Sequence, residues 1–209
     1  VPLSSPLRKE GEMKLAHEIL NLNERDFGPL GREQIRKLCE AGLIEPFVPE
    51  KIRTDERGNP VISYGLAEAG YDIRLGYNFK IPEGVMDSKN PRYHDVSHRH
   101  AFELPPNSFV LGETLEWFDV PPDIRIIAFS KSTLLRVGLV TPISPLEPGW
   151  SGVLTLEIAN LGRNPVVLYP GEGIAQLVFE LIHPGPGYTG PYQNQIGVTG
   201  SLVRPDAWD

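Results

Sequence analysis

The chain has 209 residues, with 20 Lys+Arg against 27 Asp+Glu and a net charge of −7 at pH 7. That length suits one domain, and the acidic balance argues against a duplex nucleic-acid binder while leaving room for a local basic pocket that holds a small anion. A single cysteine, Cys39, excludes an intramolecular disulfide framework and a cysteine-based zinc site.

In chain order, residues 1–30 read as an arm. Ser4, Ser5 and Pro6 are irregular, and Glu12–Leu20 carries enough apolar residues for a short helix. The first twenty residues lack the continuous apolar stretch of a signal peptide. No later run approaches the roughly 18 apolar residues of a membrane span, so a cytoplasmic protein with no membrane partner is expected. Arg32–Gly42 is the better helix: Ile35, Leu38 and Cys39 fall at i, i+3 and i+4, with Gly42 as the stop. Short apolar or alternating runs follow at Val61–Tyr64, Tyr71–Leu75, Asn78–Ile81, Ser108–Leu115, Ile124–Phe129, Val153–Ala159, Val166–Leu168 and Ile174–Leu181. Gly and Pro, 21 of each, punctuate them. This pattern predicts a mainly β jelly-roll or barrel-like fold with a few short helices. Gly185–Asp209 is a tail rich in Gly, Pro, Tyr and Gln without periodicity.

Three segments carry candidate chemistry. Ser130–Gly138 (SKSTLLRVG) follows an apolar strand, and its Ser and Thr residues can cap a helix whose free N–H groups attract anions. Lys131 and Arg136 add two cations, although an ordinary capped turn with solvated cations fits the same pattern. In Val153–Ala159, alternation puts Leu154, Leu156 and Ile158 on one face and Val153, Thr155, Glu157 and Ala159 on the other. Glu157 therefore faces away from the core, into solvent or into a pocket, and Glu147 on the preceding turn has the same choice. His94, Asp95, His98 and His100 invite a metal reading, but no regular frame is evident there and a solvated loop is expected. Trp117, Trp150 and Trp208 are read as packing residues. Tyr188, Tyr192, Gln193 and Gln195 suit a tail that closes over a ligand or one that clasps a subunit.

The stretches SKSTLLRVGL, TPISPLEPGWSGVLTLEIAN and GEGIAQLVFE strongly resemble the dCTP deaminase family of the dUTPase-like superfamily. LIEPF (43–47), VISYGLAEAGYDIR (61–74), PPNSF (105–109) and YQNQIGVTG (192–200) are similar to further motifs of that family, in consistent order. The resemblance implies a β domain over 31–200, flanked by the arm 1–30 and a tail 201–209. It implies a dUTPase-type subunit in a homotrimer with active sites between subunits. The activity implied is hydrolytic deamination of dCTP to dUTP and ammonia, supplying dUTP for dTTP synthesis, with Mg²⁺ on the triphosphate. A zinc deaminase needs a Pro-Cys-x-x-Cys segment that one cysteine cannot supply, so side chains must activate the water.

Carried over by motif, Glu157 would be general base and acid, with Ser132 and Arg136 orienting the water and balancing charge. Lys131, Ser132 and Thr133, with backbone N–H groups running on through Leu134 and Leu135 to Arg136, would hold phosphates. Thr155, Leu156 and Glu157 would line the base pocket, partly through main-chain groups. Gln176, Tyr188 and Gln195 would complete the nucleotide contacts. Two departures stand out. Pro191 occupies the place of a family Lys that meets the terminal phosphate, after a short linker (HPGPGYTGP). Pro142 stands where relatives often carry Asn. The alternatives are a bifunctional deaminase and dUTP diphosphatase, a plain dUTP diphosphatase, and a non-catalytic nucleotide-binding module.

Overall fold

The computed structural model describes residues 14–23 and 25–203. Ser4, Ser5, Pro6, Glu12, Met13 and Trp208 lie outside the described residues. The elements run α1 (Ala16–Leu20), β1 (Gly28–Pro29), α2 (Arg32–Glu40), β2 (Ile44–Glu45), β3 (Ile52–Thr54), β4 (Pro60–Ala67), β5 (Gly70–Pro82), β6 (Tyr93–Ser97) and β7 (Phe102–Leu104). They continue β8 (Ser108–Asp119), β9 (Ile124–Ser130), α3 (Ser132–Leu135), β10 (Leu139–Val140), β11 (Ser151–Asn160), β12 (Val166–Leu168) and β13 (Gly173–Leu181). Eleven strands form one curled sheet whose backbone runs β1-β13-β5-β8-β11-β10, with β9 on β13, β4 and β6 on β5, β3 on β4, and β2 on β8. β7 and β12 form a separate ribbon. The mainly β, barrel-like expectation is met.

The core lies inside the curl, around the fully buried Tyr71, Phe79, Phe118 and Phe179. On β11 the side chains of Leu154, Leu156 and Ile158 enter it. A one-residue slip would expose all three, each worth about 1.5–3 kcal/mol of burial. That fixes the register in which Glu157 stands opposite Leu111 of β8, and Thr155 opposite Glu113.

The strand read as two pieces, Tyr71–Leu75 and Asn78–Ile81, is the single β5. Its pairing with β8 shifts between Leu75 and Phe79, and such a bulge interrupts the period-2 pattern. Glu113 occupies the bulge: its Oε1 accepts the Asn78 Nδ2–H at 2.6 Å. A Cβ on Gly76 would lie 2.5 Å from Glu113 Cγ, so only glycine admits that side chain there. Nearby, Glu116 on β8 is fully buried and accepts the Arg74 backbone N–H at 3.0 Å and Nε–H at 2.7 Å.

α2 buries Ile35, Leu38 and Cys39 as its spacing predicts. Gly42 (φ 105°) ends it in a Schellman turn, with Leu43 N–H on Leu38 O and Gly42 N–H on Cys39 O, each at 3.0 Å. α1 has no local cap. Asp123, from the turn before β9, accepts the Ala16 and His17 backbone N–H groups at 2.7 and 3.0 Å and contacts His17 Nδ1 at 2.7 Å. With Ala16, Leu20 and Leu30 in the common core and β1 paired to β13, residues 14–23 and 25–30 pack as part of the same body.

Candidate functional site

Two surfaces carry the candidate residues. The first is a cavity of about 680 Å³, a size suited to a small organic ligand, lined by Glu157, Thr155 and a wall of Tyr93, Ile143, Trp150, Tyr188 and Tyr192. Oε2 of Glu157 is buried without a hydrogen-bond partner. Removal from water pushes its carboxyl above the ordinary glutamate range. Among the described residues no ion pair includes Glu157. Of its two sequence alternatives the structure selects the pocket, whereas Glu147 is exposed at the rim of the same cavity.

The tail closes one side of this cavity. Gln195 lies in a parallel bridge to Gly152, and its Nε2–H donates to Val153 O at 2.6 Å. Thr199 N–H donates to Thr155 Oγ1 at 3.0 Å, and Trp150 Nε1–H donates to Tyr192 O at 2.8 Å. The Tyr188 hydroxyl accepts the Tyr192 N–H at 3.3 Å across the turn that contains Pro191. Gly200 lies flat on Tyr93, where a Cβ would sit 2.8 Å from the ring. Tyr188 and Gln195 thus line the same cavity as Glu157, with their polar ends holding the tail. Trp150 is packing residue, cavity wall and tail anchor at once. The parts played by Tyr93 and Thr199 had no sequence signal of their own.

The second surface is the turn from β9 into α3. It differs from the expected cap: Lys131 is the N-cap without a side-chain cap bond, and Ser132 and Thr133 are the first helical residues, both exposed. Ser130 instead staples the base of the turn, its Oγ accepting the Thr141 N–H at 2.9 Å. Arg136 is exposed, and its guanidinium has no salt-bridge partner among the described residues. With Thr133 it borders a separate cavity of about 700 Å³ that reaches Tyr169. Leu135 is exposed, while Leu134 joins the core, so Leu134 can offer a ligand only its backbone. The same holds for Leu156, fully buried on β11.

Lys131 is not a free cation. Its Nζ meets Asp72 Oδ2 at 2.7 Å, and burial lowers the proton affinity of its amine while Asp72 raises it. Gln176 lines neither cavity. It lies on β13 between Asp72 of β5 and Phe129 of β9. The segment expected to be an irregular loop, His94–His100, begins as strand β6, paired with β5, because Val96 finds an apolar neighbour there. His98 stacks on Phe102 at 4.3 Å. Among the described residues no group of three or more His, Cys, Asp or Glu is placed to hold a metal ion. No described helix is long and apolar enough to cross a membrane.

The family model described as dCTP deaminase-like matches residues 30–182. The dCTP deaminase of Albidiferax ferrireducens is 40% identical over 181 residues, covering 79% of this chain and 94% of its own. That of a Psychrobacter species is 38% identical over 182 residues, with the same coverage of both chains. Among solved structures, the 2′-deoxycytidine 5′-triphosphate deaminase from Agrobacterium tumefaciens superposes with a TM-score of 0.57 at 21% identity. The match covers 75% of this chain and 49% of that one, so this chain spans about half its length and the likeness speaks to the fold.

Proposed function

The chain belongs to the dCTP deaminase-like family, and from that premise we propose that it hydrolyses dCTP to dUTP and ammonia, in the cytoplasm, supplying dUTP for dTTP synthesis. The observation that carries the reading is the buried, unpartnered Oε2 of the half-buried Glu157 inside an aromatic-walled cavity. Burial raises its proton affinity toward the range where one group serves as both base and acid.

Water attacks C4 of cytosine as Glu157 takes its proton. Glu157 passes that proton to N3, completing the tetrahedral adduct. The same carboxylate then takes the proton of the new C4 hydroxyl and delivers it to the exocyclic amine, so that C4=O forms as the C4–N bond breaks and ammonia leaves. The base enters beside Thr155 and Glu157, under the tail residues Tyr188 and Gln195. Ser132 orients the water and Arg136 balances the charge of Glu157. Within one subunit Glu157 has no cation and Arg136 no anion among the described residues, yet each is suited to meet the other's kind. A homotrimer whose α3 turn caps a neighbour's cavity satisfies both. Backbone N–H groups of Ser132 and Thr133, with Lys131 and Gln176 nearby, receive the triphosphate, which brings Mg²⁺ as part of the substrate; those of Leu134, Leu135 and Arg136 are taken by Lys131 O and Ser132 O. The deamination step uses no zinc.

Incubation with dCTP, CTP, dCMP and dUTP in Mg²⁺, followed by nucleotide chromatography, tests the proposal. dUTP and ammonia from dCTP are expected, surviving a zinc-selective chelator. Diphosphate and dUMP would add or substitute the diphosphatase reading. Binding without turnover would leave a nucleotide-binding module.

A further inference from the structure

Asp72 on β5 is 1% exposed and unevenly served. Its Oδ2 meets Lys131 Nζ at 2.7 Å, Lys51 Nζ at 3.0 Å and Ser63 Oγ at 3.4 Å, while its Oδ1 is buried without a partner. Two ammonium groups on one carboxylate leave a surplus positive charge in a site mostly shut off from water. One cation alone would neutralise Asp72. The side chains differ in access: Lys131 is 9% exposed and Lys51 28%. They differ also in connection, because Lys131 directly precedes Ser132 and α3, whereas Lys51 comes from the chain leading into β3.

We infer that Lys51 and Asp72 are positioning residues that hold Lys131 in reserve and release it to the phosphates of the nucleotide, Lys51 keeping Asp72 neutral when Lys131 leaves. This rests on the deaminase reading for the identity of the triphosphate. Stripping the sole cation from a buried carboxylate is strongly unfavourable, since the charge left behind has neither water nor partner. With Lys51 already in contact, departure of Lys131 leaves a one-to-one pair and removes the repulsion between the two amines. The four-carbon stem of lysine permits such a swing without backbone movement. The arrangement keeps Lys131 from an exposed, fully solvated state between turnovers, and supplies a phosphate cation on a subunit that has Pro191 in place of the tail lysine.

The test is steady-state kinetics on Lys51→Met, Lys51→Arg and Asp72→Asn. Lys51→Met is expected to raise the KM for dCTP about tenfold, or about 1.4 kcal/mol, with kcat within about twofold, and Lys51→Arg to restore most of it. In an Asp72→Asn background the neutral amide needs no counter-ion, so adding Lys51→Met should change KM little. An equal rise in both backgrounds would mean that Lys51 attracts phosphate directly and would overturn the inference, as would an unchanged KM in Lys51→Met. Should Asp72→Asn fail to fold, Lys51→Met and Lys51→Arg are compared alone, and an unchanged KM in Lys51→Met overturns the inference. A wild-type protein that does not turn over dCTP counts against the deaminase reading alone. The same variants are then compared by calorimetric binding of inorganic triphosphate, with the same non-additivity expected and additivity overturning the inference.

Discussion

Glu157 and Arg136 sit in opposite surroundings. Glu157 is enclosed by its own subunit: β8 beneath it, the segment before β11 on one side and the tail on the other. Arg136 ends a four-residue helix and is open to solvent. The contrast matches what the proposed mechanism asks of each group. A proton-transfer group needs its affinity for the proton altered, and burial without a partner does that only where the chain itself excludes water. A group that supplies charge and hydrogen bonds needs no such environment until the site closes. It can remain hydrated on the surface and be desolvated only on assembly, which avoids burying an unpaired guanidinium in the isolated subunit.

Neutralising the enclosed side tests this contrast most severely. Glu157→Gln is expected to lower kcat by about 10²–10⁴, with the fold intact, because a positioned general base and acid is lost. Near-wild-type turnover of the purified variant would sink the assignment. Ser132→Ala and Arg136→Ala are expected to reduce turnover as well, Ser132→Ala mainly in kcat, since orientation of the attacking water matters in the transition state. A pure KM effect would limit Ser132 to holding phosphate.

Mixing distinguishes one subunit from two. If Glu157 of one protomer works with Arg136 of the next, then co-refolding inactive Glu157→Gln with inactive Arg136→Ala creates cyclic trimers that contain one intact site. A random equal mixture should recover about a quarter of wild-type activity. No recovery, with mixed trimers verified by mass, would place both groups in one subunit's site.

The parts of the molecule legible in the sequence are those governed by local pattern. Alternation in Val153–Ala159 put Glu157 on the correct face, because Leu154, Leu156 and Ile158 are all core residues. The spacing and stop of α2 were equally readable. Strands of two or three residues such as β1, β2, β3, β7 and β10 have no period to detect and exist through distant partners: Gly28 pairs with Leu181, and Ile44 with Phe118. The bulge in β5 hid its continuity for the same reason, since Glu113 comes from another strand. Long-range polar contacts were likewise invisible. Nothing near Lys131 points to Asp72, nor anything near His17 to Asp123. The motifs gathered the candidate residues in sequence, but not their division between a tail-covered cavity and an exposed helical turn.

The phosphate end offers a smaller test. Pro191 lies in the turn bridged by Tyr188 and Tyr192, where the family resemblance places a lysine. A charge-assisted hydrogen bond contributes roughly 1.5–3 kcal/mol, so Pro191→Lys should lower the KM for dCTP by about one to two decades. kcat should change little, because the terminal phosphate is remote from C4 and its contact acts alike in ground and transition states. An unchanged or higher KM would mean that Lys131 already fills this role, or that the turn does not reach the phosphate.

The substitution that harms activity most should help stability slightly. Glu157 is costly to the folded chain because its Oε2 has no partner, and its raised proton affinity expresses that cost. A carboxyl that binds its proton more tightly when folded contributes its full stability below the unfolded value, about 4.3. That contribution is lost as pH rises through the higher folded value, because over that interval the native state holds more protons than the unfolded one. An amide in place of this carboxyl carries no charge at any pH. In an Arg136→Ala background, where no neighbour's guanidinium can meet the carboxylate, adding Glu157→Gln should therefore leave stability unchanged near pH 4 and raise it toward pH 8, by on the order of 1 kcal/mol, the usual size of such a gain when an active-site strain is removed. In a chain of this length that corresponds to a thermal midpoint about 2–4 °C higher. Midpoints of the two proteins measured across pH 4–8 decide the matter. A constant difference, or a lower midpoint for the double variant at pH 8, would mean that the carboxylate finds a partner other than Arg136 in the folded protein.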